Sequence, residues 1–285
     1  MLPSAAVVAL GLCFAGSAAP LRAQPPEQPA RIVSLDLCAD QLLVELVDRR
    51  RIAAVTHLAA DPAVSSIPEM ARGIPITRGT AEDVLRYDPD LILAGPYGVS
   101  ETVDLLKRLK RNVAVVPLPS DLDGVRLAMR TVAAAVGERG SGEAMVSAFD
   151  RRVRDEIPVP ETMRPSAIVY QVGGTVSGPG SLAEAALIAA GFRNKAAEYR
   201  LTRNGQVPLE LLVAAPPDLL VLSSNAEEYR TAISDNLRNP VLARVKQGHA
   251  WVELPWQLWL CGTPRLADAI ERLVEVREKL RARAQ

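Results

Sequence analysis

The sequence predicts an α/β chain of two Rossmann-like lobes with mainly parallel sheets, joined by one long α-helix, with a ligand cleft between the lobes. Three observations lead there. Short apolar runs rich in branched residues alternate with helical patterns along the chain, the mark of parallel strands that each return through a helix. One helix-to-strand unit occurs twice, as EDVLRYDPDLILAGP from Glu82 and ELLVAAPPDLLVLSS from Glu210. Between the copies lies an amphipathic stretch closed by prolines.

Residues 1–23 hold the apolar run AAVVALGLCFAGSAA, too short to span a bilayer comfortably. They are expected to be a secretory signal peptide cut after Ala23, although the segment lacks the usual basic amino-terminal region. Cys13 follows Leu12, where a lipoprotein would carry a small residue, so the product is expected to be soluble and exported. The proline-rich residues 24–30 are expected to form a disordered tail.

The first lobe, 31–140, opens with the strand RIVSL and the helix ADQLLVELV, in which Leu42, Leu43, Leu46 and Val47 share one face. IAAVTHL, DLILAG and NVAVVPL supply further strands. In both repeated units the glutamate stands seven residues before a Pro-Asp pair. That pair ends the helix because the residue before proline is pushed out of helical geometry. The inter-lobe helix is placed in 141–158: from Gly142, Met145, Phe149, Val153 and Ile157 recur at helical spacing until Pro158, Pro160 and Pro165 stop it. A helix resists bending, so opening between the lobes is expected to be small. The second lobe, 159–285, carries the strands SAIVYQV, DLLVLSS and HAWVEL.

Of the 285 residues 48% are hydrophobic and 23% charged, enough to build two cores, and 33 basic residues balance 33 acidic ones. No long-range field draws polyanions and no basic stripe carries interleaved aromatics, so nucleic acid is not expected as a partner. Past the expected signal, Cys38 and Cys261 remain. An exported chain permits a disulfide between them; two buried thiols, or two metal ligands lacking a completing third residue, are the alternatives.

Ligands of open α/β sheets gather beyond the carboxyl ends of the strands. The turns there present Ser34, Asp36 and Cys38, then His57, then Tyr97 in the first lobe. In the second they present Gln171 with Gly173 and Gly174, then Ser223 and Ser224, then the stretch WVELPWQLWLCGTPR. Trp256 and Trp259 stand beside prolines, where an indole covers a flat ligand or fills a small core under the loop. With only 4% aromatics in the chain, a ligand wall is the favoured reading. His57 is a metal ligand or a structural histidine, and Tyr97 a phenolate for ferric iron or a hydrogen-bond donor. Neither makes a free-ion site alone, since a dedicated cage takes three or four protein ligands, so no metal site is assigned. GGTVSGPGS lacks the phosphate-loop spacing and reads as a flexible turn lining the cleft. Cys38 with His57 as nucleophile and base lacks an orienting partner, so the chain is not expected to be an enzyme; a secreted α/β enzyme using Cys38 is the distant alternative.

The strand RIVSL running into a helix, the strand IAAVTHLAADP, the EDVLRYDPDLILAG unit, one inter-lobe helix and the repeated Glu-to-Pro-Asp unit together resemble the periplasmic binding proteins of iron-siderophore, heme and cobalamin ABC importers. The resemblance covers nearly all of the chain after the expected signal. It implies a periplasmic, monomeric receptor that captures an iron chelate or corrinoid and delivers it to an ABC importer permease dimer. Glu82 and Glu210 match the family's permease-docking glutamates, and two carboxylates about a pseudo-twofold axis suit a permease of two identical subunits. Ser34, Asp36, His57, Tyr97, Gln171, Ser224, Trp256 and Trp259 are the expected ligand-lining residues. No cofactor is expected beyond iron or cobalt carried by the ligand. A free metal or other small organic molecule is the alternative cargo. Cobalamin-binding members carry cleft aromatics where Ile76 and Asn204 align, while Tyr199, Arg200 and Arg203 are available to meet an anionic chelate.

Overall fold

The structure is a computed structural model that describes residues 28–284 except 154–159, 161–162, 202, 224–239, 241, 243–245 and 247. The expected signal, most of the expected tail, and Ser224 lie outside the described residues.

The central apolar runs become strands buried on both faces, as parallel strands covered by helices require, whereas NVAVVPL and HAWVEL become partly exposed edge strands. The first half runs β1 (Ile32–Ser34), α1 (Leu37–Leu46), β2 (Ile52–Thr56), α2 (Pro68–Ala71), β3 (Ile76–Thr77), α3 (Ala81–Arg86), β4 (Leu91–Ala94), α4 (Ser100–Arg108) and β5 (Val113–Val115). The helices α5 (Leu122–Ala135) and α6 (Arg139–Arg152) follow. The second half runs β6 (Ser166–Gln171), β7 (Thr175–Ser177), α7 (Leu182–Ala189), β8 (Arg193–Asn194), β9 (Asn204–Gln206), α8 (Leu209–Ala214), β10 (Leu219–Ser223), β11 (Ala250–Leu254), α9 (Gln257–Leu260) and α10 (Leu266–Ala284).

Two separate sheets result. The first is parallel throughout, in the order β3-β2-β1-β4-β5. The second has the order β11-β10-β6-β7-β9, with β8 also on β6. Its β11, β10, β6 and β8 are parallel, whereas β7 and β9 add an antiparallel edge. All seven strands expected from the sequence form. The short β3, β7, β8 and β9 were not anticipated, because two or three residues carry no periodicity.

The repeated unit occupies the same place in each sheet. β4 lies against the first strand of its half and β10 against β6, and the Pro-Asp aspartate fixes both registers. Asp90 accepts hydrogen bonds from the backbone N–H groups of Ala30 and Arg31, at 2.6 and 3.0 Å. Asp218 accepts from the Ser166 N–H and the Ser166 hydroxyl, both at 2.7 Å. In each case the carboxylate holds the chain at the entry of the neighbouring strand, just before Ile32 in the first half and at Ser166 in the second. A one-residue slip would unpair it and turn every side chain to the other face. The Pro-Asp pair therefore does more than end a helix.

Two expectations change. Residues 28–30 are fastened down rather than free: Gln28 donates to the Gly137 carbonyl, Arg51 donates to Pro29 O, and Ala30 meets Asp90. The joining helix begins at Arg139, ahead of the expected start, its last described residue is Arg152, and 154–158 lie outside the described residues. It is also no lone rod. The short turn after α5 folds α6 back onto it, so closely that a Cβ on Gly142 would meet the Ala133 Cβ at 2.3 Å. Arg126 to Asp150 and Arg130 to Glu143, both at 2.7 Å, cross between the two helices. Arg152 reaches on to Asp268 and Glu271 of α10. One continuous apolar cluster runs from β1 and α1 through Met129, Val132, Val146 and Phe149 to Val169, Val221 and Leu273.

Burial raises the pKa of Asp218, but the Ser166 hydroxyl and N–H, with Arg193 and Lys195 nearby, outweigh it and hold the carboxyl below its ordinary value. The stabilisation is therefore present above the unfolded pKa and lost as pH falls through the folded one. Asp218→Ala is expected to cost about 1–3 kcal/mol in urea denaturation at pH 7, with the deficit shrinking below about pH 4.

Candidate functional site

The carboxyl ends of both sheets open toward a groove, and the residues there were set by local chemistry first. Asp36 is the N-cap of α1: its carboxylate accepts from the N–H groups of Cys38 and Ala39, both at 3.0 Å, as an aspartate before a helix does. It also lies tightly on Gly95, where a Cβ would come within 2.3 Å of it. Burial raises its pKa against the lowering effect of those two N–H groups. Ser34, 0% exposed, donates to the Asp36 carbonyl at 3.2 Å. The expectation that both line the cleft is thus corrected: they build the turn, and their polar atoms point into it.

The segment Trp256–Arg265 crosses from the second half to the first. The Trp256 indole N–H donates to Ala63 O at 2.7 Å and the Gln257 amide donates to Pro62 O at 2.6 Å. Arg265 meets Glu45 at 3.3 Å. Gly262 lies so close to Pro119 that a Cβ would stand 2.1 Å from its Cγ, so the crossing needs a glycine. Cys261 is joined to Cys38 in a disulfide that links positions 223 residues apart. Leu37, Val64, Leu58 and Leu260 pack around this bond.

This strap walls a cavity of about 270 Å³ between the halves. The first half contributes Leu118 and Pro119, beyond β5. The second contributes Gln171 at the end of β6, Ser177 at the end of β7, Ser181 to Ala183 at the start of α7, Arg203 and Asn204 at β9, and Trp256, Trp259 and Leu260 of the strap. Arg203 holds a left-handed backbone, φ 68°, with its N–H on Pro179 O at 3.1 Å. Its carbonyl lies where a Cβ on Gly178 would stand, 2.3 Å away. The GGTVSGPGS turn is therefore ordered: it includes β7 and brings Ser177 and Ser181 to the cavity.

The expected site residues divide. Gln171, Trp256 and Trp259 line the cavity. Trp259 is only 6% exposed, its N–H on the Ser223 hydroxyl at 3.2 Å, so it belongs as much to the core as to the wall. Tyr97, 71% exposed, and His57, also exposed, stand at strand ends of the first half but outside the cavity lining. Tyr199 packs into the second half's apolar cluster, leaving Arg203 as the guanidinium at the cavity. Leu118 and Pro119 carried no signal in the sequence, since an apolar loop reads like any strand end. Among the described residues the lining offers amides, hydroxyls, one guanidinium and indole faces, with no carboxylate, imidazole or thiol. Among the described residues no group of three His, Cys, Asp or Glu could hold a metal ion. Cys38, bonded to Cys261, has no thiol to act as nucleophile.

Glu82 and Glu210 are exposed, each the second residue of a six-residue helix, α3 and α8. Thr80 caps α3 by accepting from Asp83 N–H, whereas Pro208 precedes α8 without a side-chain cap.

Beneath the turn, Asp40 is fully buried. Its carboxylate accepts from the Thr56 N–H at 3.1 Å and hydroxyl at 2.5 Å, while its other oxygen finds no partner among the described residues. Burial, with the Asp36 carboxylate nearby, outweighs the lowering effect of the Ser34 hydroxyl and the Thr56 bonds and raises its pKa to about 7.

Residues 32–248 match the family model described as periplasmic binding protein. A curated cobalamin-binding protein of Halobacterium salinarum is 27% identical over 211 residues, 73% of this chain; the chain spans 57% of that relative's length. Among solved structures, the apo periplasmic heme-binding protein RhuT from Roseiflexus sp. RS-1 aligns with a TM-score of 0.70 at 23% identity, covering 88% of this chain and 98% of its own. The vitamin B12 binding protein BtuF of Vibrio cholerae aligns at 0.67 and 18%, covering 89% and 98%. The Fe3+-hydroxamate transport protein of Saccharomonospora viridis DSM 43017 aligns at 0.64 and 22%, covering 87% and 93%. These structural likenesses establish a shared fold.

Because its folded pKa is raised, Asp40 contributes stability fully present below the unfolded pKa and lost as pH rises through about 7. Asp40→Asn is expected to raise the melting temperature at pH 8 and to leave it nearly unchanged at pH 4, read by thermal denaturation in both buffers.

Proposed function

Since the chain belongs to the periplasmic binding protein family, whose members are ligand-binding transport proteins and not enzymes, we propose that it captures a metal chelate for delivery to an ABC importer, a corrinoid foremost. The observation that carries this choice is the cavity lining: among the described residues it presents hydrogen-bond donors, Arg203 and an indole wall, and no side chain suited to bind iron or cobalt. A chelate whose metal is already fully coordinated needs only contacts to its periphery. The Gln171 and Asn204 amides, Ser177 and Ser181 suit carbonyl and amide arms, and Arg203 an anionic one. Trp256 supplies a flat apolar face in the same lining as Asn204. A whole corrinoid exceeds the enclosed space, so the groove grips one edge and leaves the rest in the open mouth. The curated cobalamin-binding relative supports the same ligand class.

A second reading has its own observation. Tyr97 and His57 are exposed at the strand ends of the first half and are free to reach an iron that lacks an axial ligand, which favours heme. In either case residues 1–23 serve as the export signal, the receptor acts as a monomer outside the cytoplasmic membrane, and Glu82 and Glu210 dock on the permease dimer. Their exposure at matching positions of the two repeats supports that pairing.

Titration of tryptophan fluorescence with cyanocobalamin, hemin and ferrioxamine is expected to give a micromolar or tighter dissociation constant for cyanocobalamin. Arg203→Ala or Trp256→Ala is expected to weaken it by about tenfold or more. Silence across the panel rejects the reading; a response to hemin that Tyr97→Phe removes selects the second. In an uptake assay, Glu82→Lys with Glu210→Lys is expected to abolish import while the titration stays unchanged.

A further inference from the structure

The strap that walls the cavity is held to the first half by few non-covalent bonds, and the seam beneath it is poorly satisfied. Among the described residues three side-chain hydrogen bonds cross it: Trp256 to Ala63, Gln257 to Pro62, and the charged pair Arg265 to Glu45. Against them, Gln257 Oε1 and Thr263 Oγ1 of the strap, and Gln41 Nε2 on α1, are buried without a partner among the described residues. An unpaired buried polar atom costs about as much as one such hydrogen bond returns, so the polar part of the seam adds little net to holding the strap down. On α1, Cys38, Gln41 and Glu45 are spaced to share one face, and each engages this region: Cys38 bonds Cys261, Gln41 accepts from Ser66 beside the Pro62–Val64 loop, and Glu45 meets Arg265. The covalent bond lies in the middle of that face. Cys261 directly follows Trp259 and Leu260, both part of the cavity wall.

We propose that the Cys38–Cys261 disulfide is a redox-sensitive latch that fixes the Trp256–Leu260 wall of the groove. The proposal rests on that groove being the ligand site. Cys38 is half-buried and Cys261 fully buried, so a dithiol reductant attacks the Cys38 sulfur and Cys261 leaves as the thiolate. Exchange within the dithiol then releases Cys38. Two electrons and two protons pass to the protein, the S–S bond becomes two thiols, and the reductant ends as its own disulfide. The strap is then held only by the apolar packing around the former bond and by the side-chain hydrogen bonds, and the wall loosens while both sheets persist.

Hydrogen exchange on the ligand-free full chain tests this. The strap amides Leu258, Trp259, Leu260 and Thr263 all donate within the strap or to Pro255 and so report its opening. In dithiothreitol-reduced protein, and in the variant Cys38→Ser with Cys261→Ser, these amides are expected to exchange at least tenfold faster than in oxidised protein. Amides of β4 and β10 should change less than twofold. Unchanged strap rates, or equal acceleration in strap and strands, overturns the latch. If the serine variant does not fold, the reduced native chain and the variant Cys38→Ala with Cys261→Ala carry the comparison. No ligand enters the measurement, so its outcome is separable from the outcome of the titration panel.

Discussion

The groove depends on ten residues of the second half, Trp256 to Arg265, lying across the first. Two separate sheets whose parallel strands end toward one another have no backbone reason to stay in register, because each is hydrogen-bonded only within itself. The α5–α6 hairpin connects them on one side through shared apolar packing. On the groove side the connection is made by the strap: a disulfide, a glycine pressed onto Pro119, two side-chain hydrogen bonds and a partly exposed ion pair. The cavity wall and the inter-half seam are thus the two faces of one segment. Whatever moves the seam reshapes the cavity.

The duplicated scaffold accounts for the pairing that the two halves share, β1 with β4 and β6 with β10, while the strands around that pair differ. Asp90 and Asp218 perform the same task at the same register, each pinning the strand after the Pro-Asp pair to the first strand of its half. With that register fixed, the core of each sheet tolerates no slip, but its edges are unconstrained. The first half keeps an all-parallel edge that ends in Leu118 and Pro119. The second adds the antiparallel β7 and β9, and these bring Ser177, Arg203 and Asn204 to the groove. Most of the cavity chemistry consequently comes from the half that departed further from the common pattern.

Much of the fold was legible in the sequence, and less of the site. Buried strands announce themselves by uninterrupted branched runs, and all seven runs became strands. The aromatic stretch was legible as a wall or as a small core under its loop, and both descriptions apply: Trp256 and Trp259 line the cavity while Trp259 is also packed into the core. Ser34 and Asp36 were misread because a polar residue at a strand end looks the same whether it faces a ligand or caps the next helix. For Asp36 the two N–H groups of α1 decided the matter. Tyr97 and Tyr199 illustrate the same limit: one tyrosine is exposed and the other packed, and no neighbouring residue in the sequence distinguishes them.

The sequence by itself determined the α/β class, the doubled unit, the joining helix and the positions of both exposed glutamates. Each of these follows from local periodicity or from a repeated pattern, both of which act over a few residues. Only the tertiary structure decided which strand ends face one another, that α5 pairs with α6, and that Cys38 meets Cys261. It also decided that Arg203 rather than Tyr199 or Arg200 reaches the cavity. Those choices depend on contacts between segments tens to hundreds of residues apart, and on how closely glycines such as Gly142, Gly178 and Gly262 let backbones approach. Contacts of that kind leave no period in a linear chain.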